Sequence, residues 1–283
     1  MKSLAVLLAC HNRVRKTLAC LENLYRQSGF DNVKILVYLV DDGSTDGTGK
    51  EVESRYPDVK VIYADGSLFW NRGMHRAFEE ALKDGHDYYL WLNDDTVLYD
   101  DALSVLLETH RKLASGNQPP SIVVGSTQDP KTGEFTYGGY IRTTSLFNPM
   151  RLVMQPPANE VQRCDTMCGN CVFIPSAVAE RVGNIDPRYK HRWGDVDYGL
   201  RASEKGCQIC IAPGYLASCE GNPKEGEWKD SSKPFRQRLE HLHSMKGLGK
   251  ADWRNFVRKF GGTFWVALWI RPYIRLVYDT LKT

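Results

Sequence analysis

The 283-residue chain is 42% hydrophobic and 25% charged, the balance of a globular protein with a sizeable core and not of a disordered or fibrous one. A net charge of +3 argues against a general polyanion binder, nucleic acid included. That charge is uneven: residues 224–283 hold 13 Lys/Arg against 6 Asp/Glu and four of the seven tryptophans, leaving −4 on residues 1–223, so an acidic front meets a basic, aromatic back suited to lipid head groups.

At the amino end the apolar run Leu4–Cys10 is too short for a signal peptide and has no small-residue cleavage site, so it reads as a buried strand. Eight cysteines without an export signal point to reduced thiols and a cytoplasmic location. Further apolar runs at 33–40, 59–63, 88–92 and 121–125 predict strands, and helical spacing marks 14–27, 46–56, 71–85 and 101–114 between them. This βαβα order predicts a mainly parallel, Rossmann-like sheet with helices on both faces. In such sheets ligands bind beyond the carboxyl ends of the strands. From 126 to 163 the pattern loosens into loops and a hairpin, marked by Gly138-Gly139, Asn148-Pro149 and Pro156-Pro157. A strand at 166–174, a helix at 195–205, a polar loop at 219–234 and helices at 235–247, 251–260 and 264–281 complete the chain. Arg271-Pro272 and Arg275 interrupt the last of these, which argues against a membrane span of about 20 apolar residues. The expected organisation is a catalytic domain over residues 1–220, followed by a loop and a basic, aromatic helical extension over 221–283.

Three clusters lie where such a fold would bind a ligand. After the second strand, Val40-Asp41-Asp42-Gly43-Ser44-Thr45-Asp46-Gly47 reads either as a capped βα turn or as a site where Asp42 accepts a hydrogen bond from a pyrimidine N3–H. Gly49-Lys50 lacks the first glycine and the Ser/Thr of a P-loop, and no G-x-G-x-x-G follows the first strand. After the fourth strand, Asn93-Asp94-Asp95 places adjacent carboxylates that repel one another unless a cation or donor lies between them. Hard divalent ions bind through such oxygens together with substrate phosphates. In Trp193-Gly194-Asp195-Val196-Asp197-Tyr198-Gly199-Leu200-Arg201, Asp195 reads as a helix cap or as a general base, and Asp197 as an i,i+4 partner of Arg201.

In their order these runs, with Cys10-His11-Asn12-Arg13, resemble the inverting family 2 glycosyltransferases of the GT-A fold, of the bacterial surface-polysaccharide type. The resemblance covers about residues 3–215. It includes Leu68-Phe69-Trp70-Asn71-Arg72-Gly73-Met74 on the donor side and Cys168-Gly169-Asn170-Cys171-Val172 on the acceptor side. It implies a UDP- or dTDP-sugar donor, with Asn12, Arg13, Asp42, Gly43, Trp70, Arg72 and Asp94 around the nucleotide. It also implies Asp95 as a ligand of Mn²⁺ or Mg²⁺, Asp195 as the base, and Trp193 and Asn170 toward a saccharide or lipid-linked acceptor. Two positions depart from the family pattern. Gly194 replaces the acid that usually precedes the base, and Ser218-Cys219-Glu220 replaces the usual second metal ligand, a histidine. Glu220, Cys219, His241 and His243 are the candidates to substitute for it.

Cys168-x₂-Cys171 and Cys207-x₂-Cys210 have zinc-like spacing. Each pair falls in an expected strand, however, where alternate positions face opposite sides, which favours buried thiols. The stretch Phe264–Tyr273 reads either as an interfacial helix giving peripheral contact with the inner face of a membrane or as a helix packed on the domain. Competing functions are a sugar-1-phosphate nucleotidyltransferase, which would need a glycine-rich loop after the first strand, and a non-catalytic carbohydrate-binding protein of the same fold.

Overall fold

The computed structural model describes every residue except 31, 117, 146–147, 223–227 and 283, and no side chain from 144 to 149. The first half follows the expected alternation: β1 (Lys2–Cys10), α1 (Val14–Tyr25), β2 (Val33–Asp42), α2 (Thr48–Arg55), β3 (Lys60–Ala64), α3 (Phe69–Asp84) and β4 (Tyr88–Leu92). The short β5 (Val97–Leu98), α4 (Ala102–Ala114), β6 (Ser121–Gln128), β7 (Phe135–Tyr137), β8 (Gly139–Ser145), β9 (Asn148–Gln155) and β10 (Gln162–Cys164) come next. Then follow β11 (Thr166–Met167), β12 (Cys171–Pro175), α5 (Ser176–Val182), α6 (Gly194–Glu204) and β13 (Gln208–Ser218). The extension contains α7 (Phe235–His243), α8 (Lys250–Phe260), a 3₁₀ turn at Gly262–Phe264, and α9 (Trp265–Leu281). The expected polar loop at 219–234 falls partly on 223–227, outside the described residues.

The main sheet has the order β10-β13-β6-β12-β4-β1-β2-β3, with β5 paired to β13 and β7 to β6. Strands β4, β1, β2 and β3 run parallel, as do β6 and β13, and β12 lies antiparallel between β4 and β6. The continuous apolar character of β1 follows from burial on both faces. Leu4, Val6 and Leu8 pack toward Leu21 and Leu24 of α1 and Leu103, Leu106 and Leu107 of α4. Ala5 and Leu7 pack on the other face with Met74, Ala77 and Phe78 of α3 and Tyr198 of α6. Each such side chain removed from water contributes about 1.5–3 kcal/mol.

The single strand expected at 166–174 is two strands. β11 joins β8 and β9 in a second, three-stranded sheet, and β12 joins the main one. They part at Gly169, where an added Cβ would lie 2.4 Å from the Trp70 ring. The glycine is what lets the indole cover the backbone there.

The extension packs onto this body. Phe256 and Val257 of α8 and Leu268 of α9 share a cluster with Val196 and Leu200 of α6 and with Tyr189 and Met150. Asp197, with no exposed surface, holds Arg201 at 2.7 Å and Lys259 of α8 at 2.5 Å. Its pairing with Arg201 is the i,i+4 pair read from the sequence. The cysteines are all unpaired. Cys171 and Cys207 sit in clusters on opposite faces of the sheet, so the two zinc-like pairs do not converge.

Candidate active site

Strand direction gathers the site at one edge of the main sheet. Cys10 of β1 is in register with Asp41 of β2, and β4 runs parallel to β1, so the segments after β1, β2 and β4 emerge together. Because β12 is antiparallel to β4, with Cys171 beside Leu92, its amino end brings Gly169-Asn170 to the same edge. Because β6 and β13 run parallel and β6 is antiparallel to β12, the carboxyl end of β13 brings Ser218-Cys219-Glu220 there too.

Asp42 is buried at the end of β2. Its Oδ1 accepts the amides of Gly66 (3.0 Å) and Leu68 (3.2 Å), and its Oδ2 accepts that of Phe69 at 2.7 Å. A carboxylate offers about four acceptor positions, and these three amides fill both of Oδ1 and one of Oδ2. The three amides lie at the start of α3, whose dipole favours a negative charge. Gly43 follows with φ of +69° and no room for a side chain, since a Cβ would lie 2.6 Å from the Gly66 nitrogen. Asp41, not singled out in the sequence, fixes the same turn by accepting the amides of Ser44 and Gly49, both at 2.9 Å.

Asn12 spans the mouth of this turn. Its Oδ1 accepts the amides of Thr45 (2.7 Å) and Asp46 (3.3 Å), and its own amide donates to Ser44 Oγ at 2.9 Å. Arg13 turns toward the acids: its Nη1 donates to Asp94 Oδ1 at 3.0 Å and to Asp95 Oδ2 at 2.9 Å. This is the donor that the adjacent carboxylates require. Burial opposes the Arg13 charge, but Asp94 and Asp95 outweigh it and raise the pKa. Burial lifts Asp94 to about 6, with Arg13 pulling it down and Asp95 pushing it up. Asp94 Oδ2 is buried without a hydrogen-bond partner. Asp95 stays partly open, and Cys219 Sγ lies 3.7 Å from its Oδ1. Burial and Asp95 push the Cys219 thiol up to about 12, so it meets the carboxylate as a neutral donor.

Asp195 connects to this set through Trp70 and Gly169. Trp70 Nε1 donates to Asn93 Oδ1 at 2.7 Å, and the Asn93 amide donates to the Asn170 carbonyl at 3.1 Å. Asn170 Nδ2 lies 3.6 Å from Cys219 Sγ. Asp195 accepts the Gly169 amide on Oδ2 at 3.0 Å and the Val196 amide on Oδ1 at 2.8 Å. Burial raises its pKa, and those two amides offset part of the rise. A carboxylate of raised pKa is better matched to proton abstraction near neutrality.

Other expected residues have different surroundings. Arg72 Nε donates to the Pro187 carbonyl at 3.1 Å. Trp193 stacks on Phe256 at 4.6 Å and donates its indole N–H to the Leu248 carbonyl at 3.1 Å, which ties the segment before Asp195 to the extension. Glu220 is held by Lys131 at 2.8 Å and Lys16 at 3.5 Å. His241 Nδ1 accepts the Trp228 amide, and His243 Nε2 lies 3.1 Å from Tyr273 Oη, so both rings are engaged within the extension. Among the described residues no three His, Cys, Asp or Glu side chains are arranged to hold a metal ion. The acid pair still fits a hard divalent cation. It offers oxygen donors only, with one buried carboxylate oxygen unpartnered, and such ions take most other ligands from water and substrate phosphate.

Backbone strain marks the same edge. Among the described residues three non-glycine residues have positive φ: Asn12 (52°), Phe69 (57°) and Trp193 (75°). Asn12 and Phe69 belong to this network and Trp193 lies two residues before Asp195, as expected where surrounding contacts over-determine a site.

A family model described as glycosyl transferase family 2 matches residues 5–181, more than half of the chain. Among solved structures, a mannosyltransferase from Pyrobaculum calidifontis in complex with GDP-Man and Mn²⁺ superposes with a TM-score of 0.57 at 16% identity, covering 98% of this chain and 71% of that one. TarS from S. aureus superposes with a TM-score of 0.56 at 13% identity, covering 93% of this chain and 44% of TarS. A TarS fragment, residues 1–349, in complex with UDP gives 0.55 at 13% identity, with coverage of 93% and 73%. At these identities the likeness concerns the fold. A comparison with curated protein sequences finds no match.

Proposed function

The chain belongs to glycosyl transferase family 2, and from that premise we propose that it moves a sugar from a UDP- or dTDP-sugar to a hydroxyl of a saccharide or lipid-linked saccharide in one inverting displacement. The observation that carries this reading is the contact chain from Asp42 through Phe69-Trp70, Asn93 and Asn170-Gly169 to Asp195. It joins a nucleotide-side carboxylate to a base-like one at a single sheet edge. The complexes of the mannosyltransferase with GDP-Man and of the TarS fragment with UDP support a nucleoside-diphosphate donor.

In this reading Asp42 Oδ2 takes the base N–H, with Asn12 and Gly43 shaping the turn around the base. Arg13, Asp94 and Trp70 line the ribose and diphosphate side. Asp195 accepts the proton of the acceptor hydroxyl as that oxygen bonds to the anomeric carbon and the carbon–oxygen bond to the diphosphate breaks. Asn170 and Trp193 border the acceptor. A divalent Mn²⁺ or Mg²⁺, held by Asp95 beside Asp94, would supply positive charge against the leaving diphosphate. Residues 1–220 form the catalytic unit and 221–283 its extension. The unpaired cysteines support a reducing, cytoplasmic setting. The exposed apolar stripe on α9 supports peripheral contact with an anionic membrane surface.

The test is nucleoside-diphosphate release and transfer from UDP-, dTDP- and GDP-sugars in Mn²⁺, with and without EDTA. Asp95→Ala and Asp195→Asn are each expected to lower kcat by about 10²-fold or more. Asp195 acts ionised and its pKa is raised by burial. The acid limb of wild-type kcat/KM is therefore expected above the ordinary carboxylate range, and Asp195→Asn should leave only the limb that Asp94, lifted to about 6, sets. Full activity in either variant removes that residue's role.

A further inference from the structure

A single guanidinium nitrogen sits at the point between Asp94 and Asp95. Arg13 Nη1 lies 3.0 Å from Asp94 Oδ1 and 2.9 Å from Asp95 Oδ2. A divalent ion drawn to this acid pair would compete with the guanidinium for the same carboxylates, and their like charges repel. We propose that Arg13 is a built-in counter-cation of the Asp94–Asp95 pair, closing the metal position until a donor diphosphate draws the guanidinium away. The inference rests on the reading of Asp95 as a metal ligand.

Three features support a latch in preference to a fixed strut. Arg13 is anchored by its backbone, whose amide donates to Thr48 Oγ1 at 3.3 Å and whose carbonyl accepts the Thr17 amide at 2.9 Å. Its side chain is 47% exposed, so it can swing without repacking a core, whereas that of Asp94 is 5% exposed and stays in place. Asp94 Oδ2 is left buried and unpartnered, so Arg13 neutralises the pair without satisfying it. A diphosphate offers a guanidinium a better, bidentate partner, and its arrival both frees the carboxylate oxygens and adds phosphate ligands for the ion. Metal and nucleotide then bind with positive coupling, which by linkage is the same in both directions.

Mn²⁺ binding to the full chain, followed by the electron paramagnetic resonance of free Mn²⁺, tests this without any turnover. Wild type is expected to bind Mn²⁺ weakly alone and at least tenfold more tightly with UDP, dTDP or GDP, whichever raises its melting temperature most. Arg13→Gln is expected to bind Mn²⁺ alone at least tenfold more tightly than wild type and to lose the part of the nucleotide coupling that comes from displacing the guanidinium, keeping the part that comes from phosphate ligation. Arg13→Lys keeps the positive charge and is expected to keep Mn²⁺ binding alone weak, which controls for a folding defect. Arg13→Gln binding Mn²⁺ alone no more tightly than wild type overturns the latch. Asp95→Ala binding Mn²⁺ as wild type does would instead overturn the assignment of Asp95, and the latch with it.

Discussion

A methyl group built on Gly194 would lie 1.4 Å from Asn71 Oδ1, so this amide and a side chain at 194 compete for one space. Asn71 is fully buried, and its Nδ2 donates to the carbonyls of Asp186 (2.9 Å) and Tyr189 (2.8 Å). It thereby fastens α3 to the segment leading into Asp195. Asn71 fills the space that a side chain at 194 would need, so only glycine fits there. Gly194→Ala should therefore destabilise the protein by about 1–3 kcal/mol through overpacking, read from the urea midpoint. Asn71→Ala removes the obstruction and its two hydrogen bonds, each worth about 1 kcal/mol. In that background Gly194→Ala should cost only about 0.5 kcal/mol or less, a non-additivity expected of residues in contact. Equal costs in both backgrounds would rule out the shared space. The positions of Asp42 and Asp95 were legible in the sequence because parallel strands end together, and a strand end can be read from an apolar run. Their partners were not. Arg13 meets Asp94 across 81 residues and Cys219 meets Asp95 across 124, and no local pattern encodes such meetings.

At the scale of elements, α6 presents Asp195 to the site and uses Asp197 to hold the extension. Asp197 receives Arg201 from its own helix, Lys259 from α8 and the Tyr189 hydroxyl at 3.1 Å. Removing the acid takes from Arg201 and Lys259 their shared buried carboxylate, leaving Arg201 only the Val182 and Asn184 carbonyls and Lys259 only Asp186 at 3.7 Å. Breaking a buried pair costs about 3–5 kcal/mol. Asp197→Ala should lose stability in that range and raise hydrogen exchange along α8. Lys259→Met should cost about 1 kcal/mol or less, because its side chain is 27% exposed and Asp197 keeps Arg201. Similar losses in the two variants would mean that Asp197 is not the centre of the clasp. The helical spacing of α6 and α8 was visible in the sequence, and so was the Asp197–Arg201 pair. The junction of the two helices was not, because Lys259 lies 62 residues away. The second sheet was hidden for a similar reason. Only the contact of Trp70 with Gly169 shows why residues 166–174 cannot stay one strand.

For the molecule as a whole, the uneven charge of the sequence acquires a shape. Helix α9 buries Leu268, Pro272 and Leu276 against the body and turns Val266, Ile270, Ile274, Val277 and Leu281 outward, with Ile274 63% and Leu281 82% exposed. At 100° per residue these five fall in one stripe, bordered along one edge by the exposed Arg271, Arg275 and Lys282. Among the described residues no helix is long and apolar enough to cross a membrane. An apolar stripe with cations beside it is the pattern of a helix lying in an anionic interface. Each cation near such a surface contributes roughly 1 kcal/mol, so three of them give about a 10²-fold preference for anionic over neutral vesicles. Co-sedimentation with phosphatidylglycerol vesicles should show that preference and weaken as salt rises, because the Debye length falls from about 10 Å at 0.1 M to about 3 Å at 1 M. Ile274→Glu with Leu281→Glu should abolish sedimentation while leaving the melting temperature and donor hydrolysis in solution unchanged, since these side chains are 63% and 82% exposed and lie outside the site. Binding to neutral vesicles equal to that for anionic ones, or sedimentation of the double variant at the wild-type level, would turn the stripe into a surface for something other than lipid.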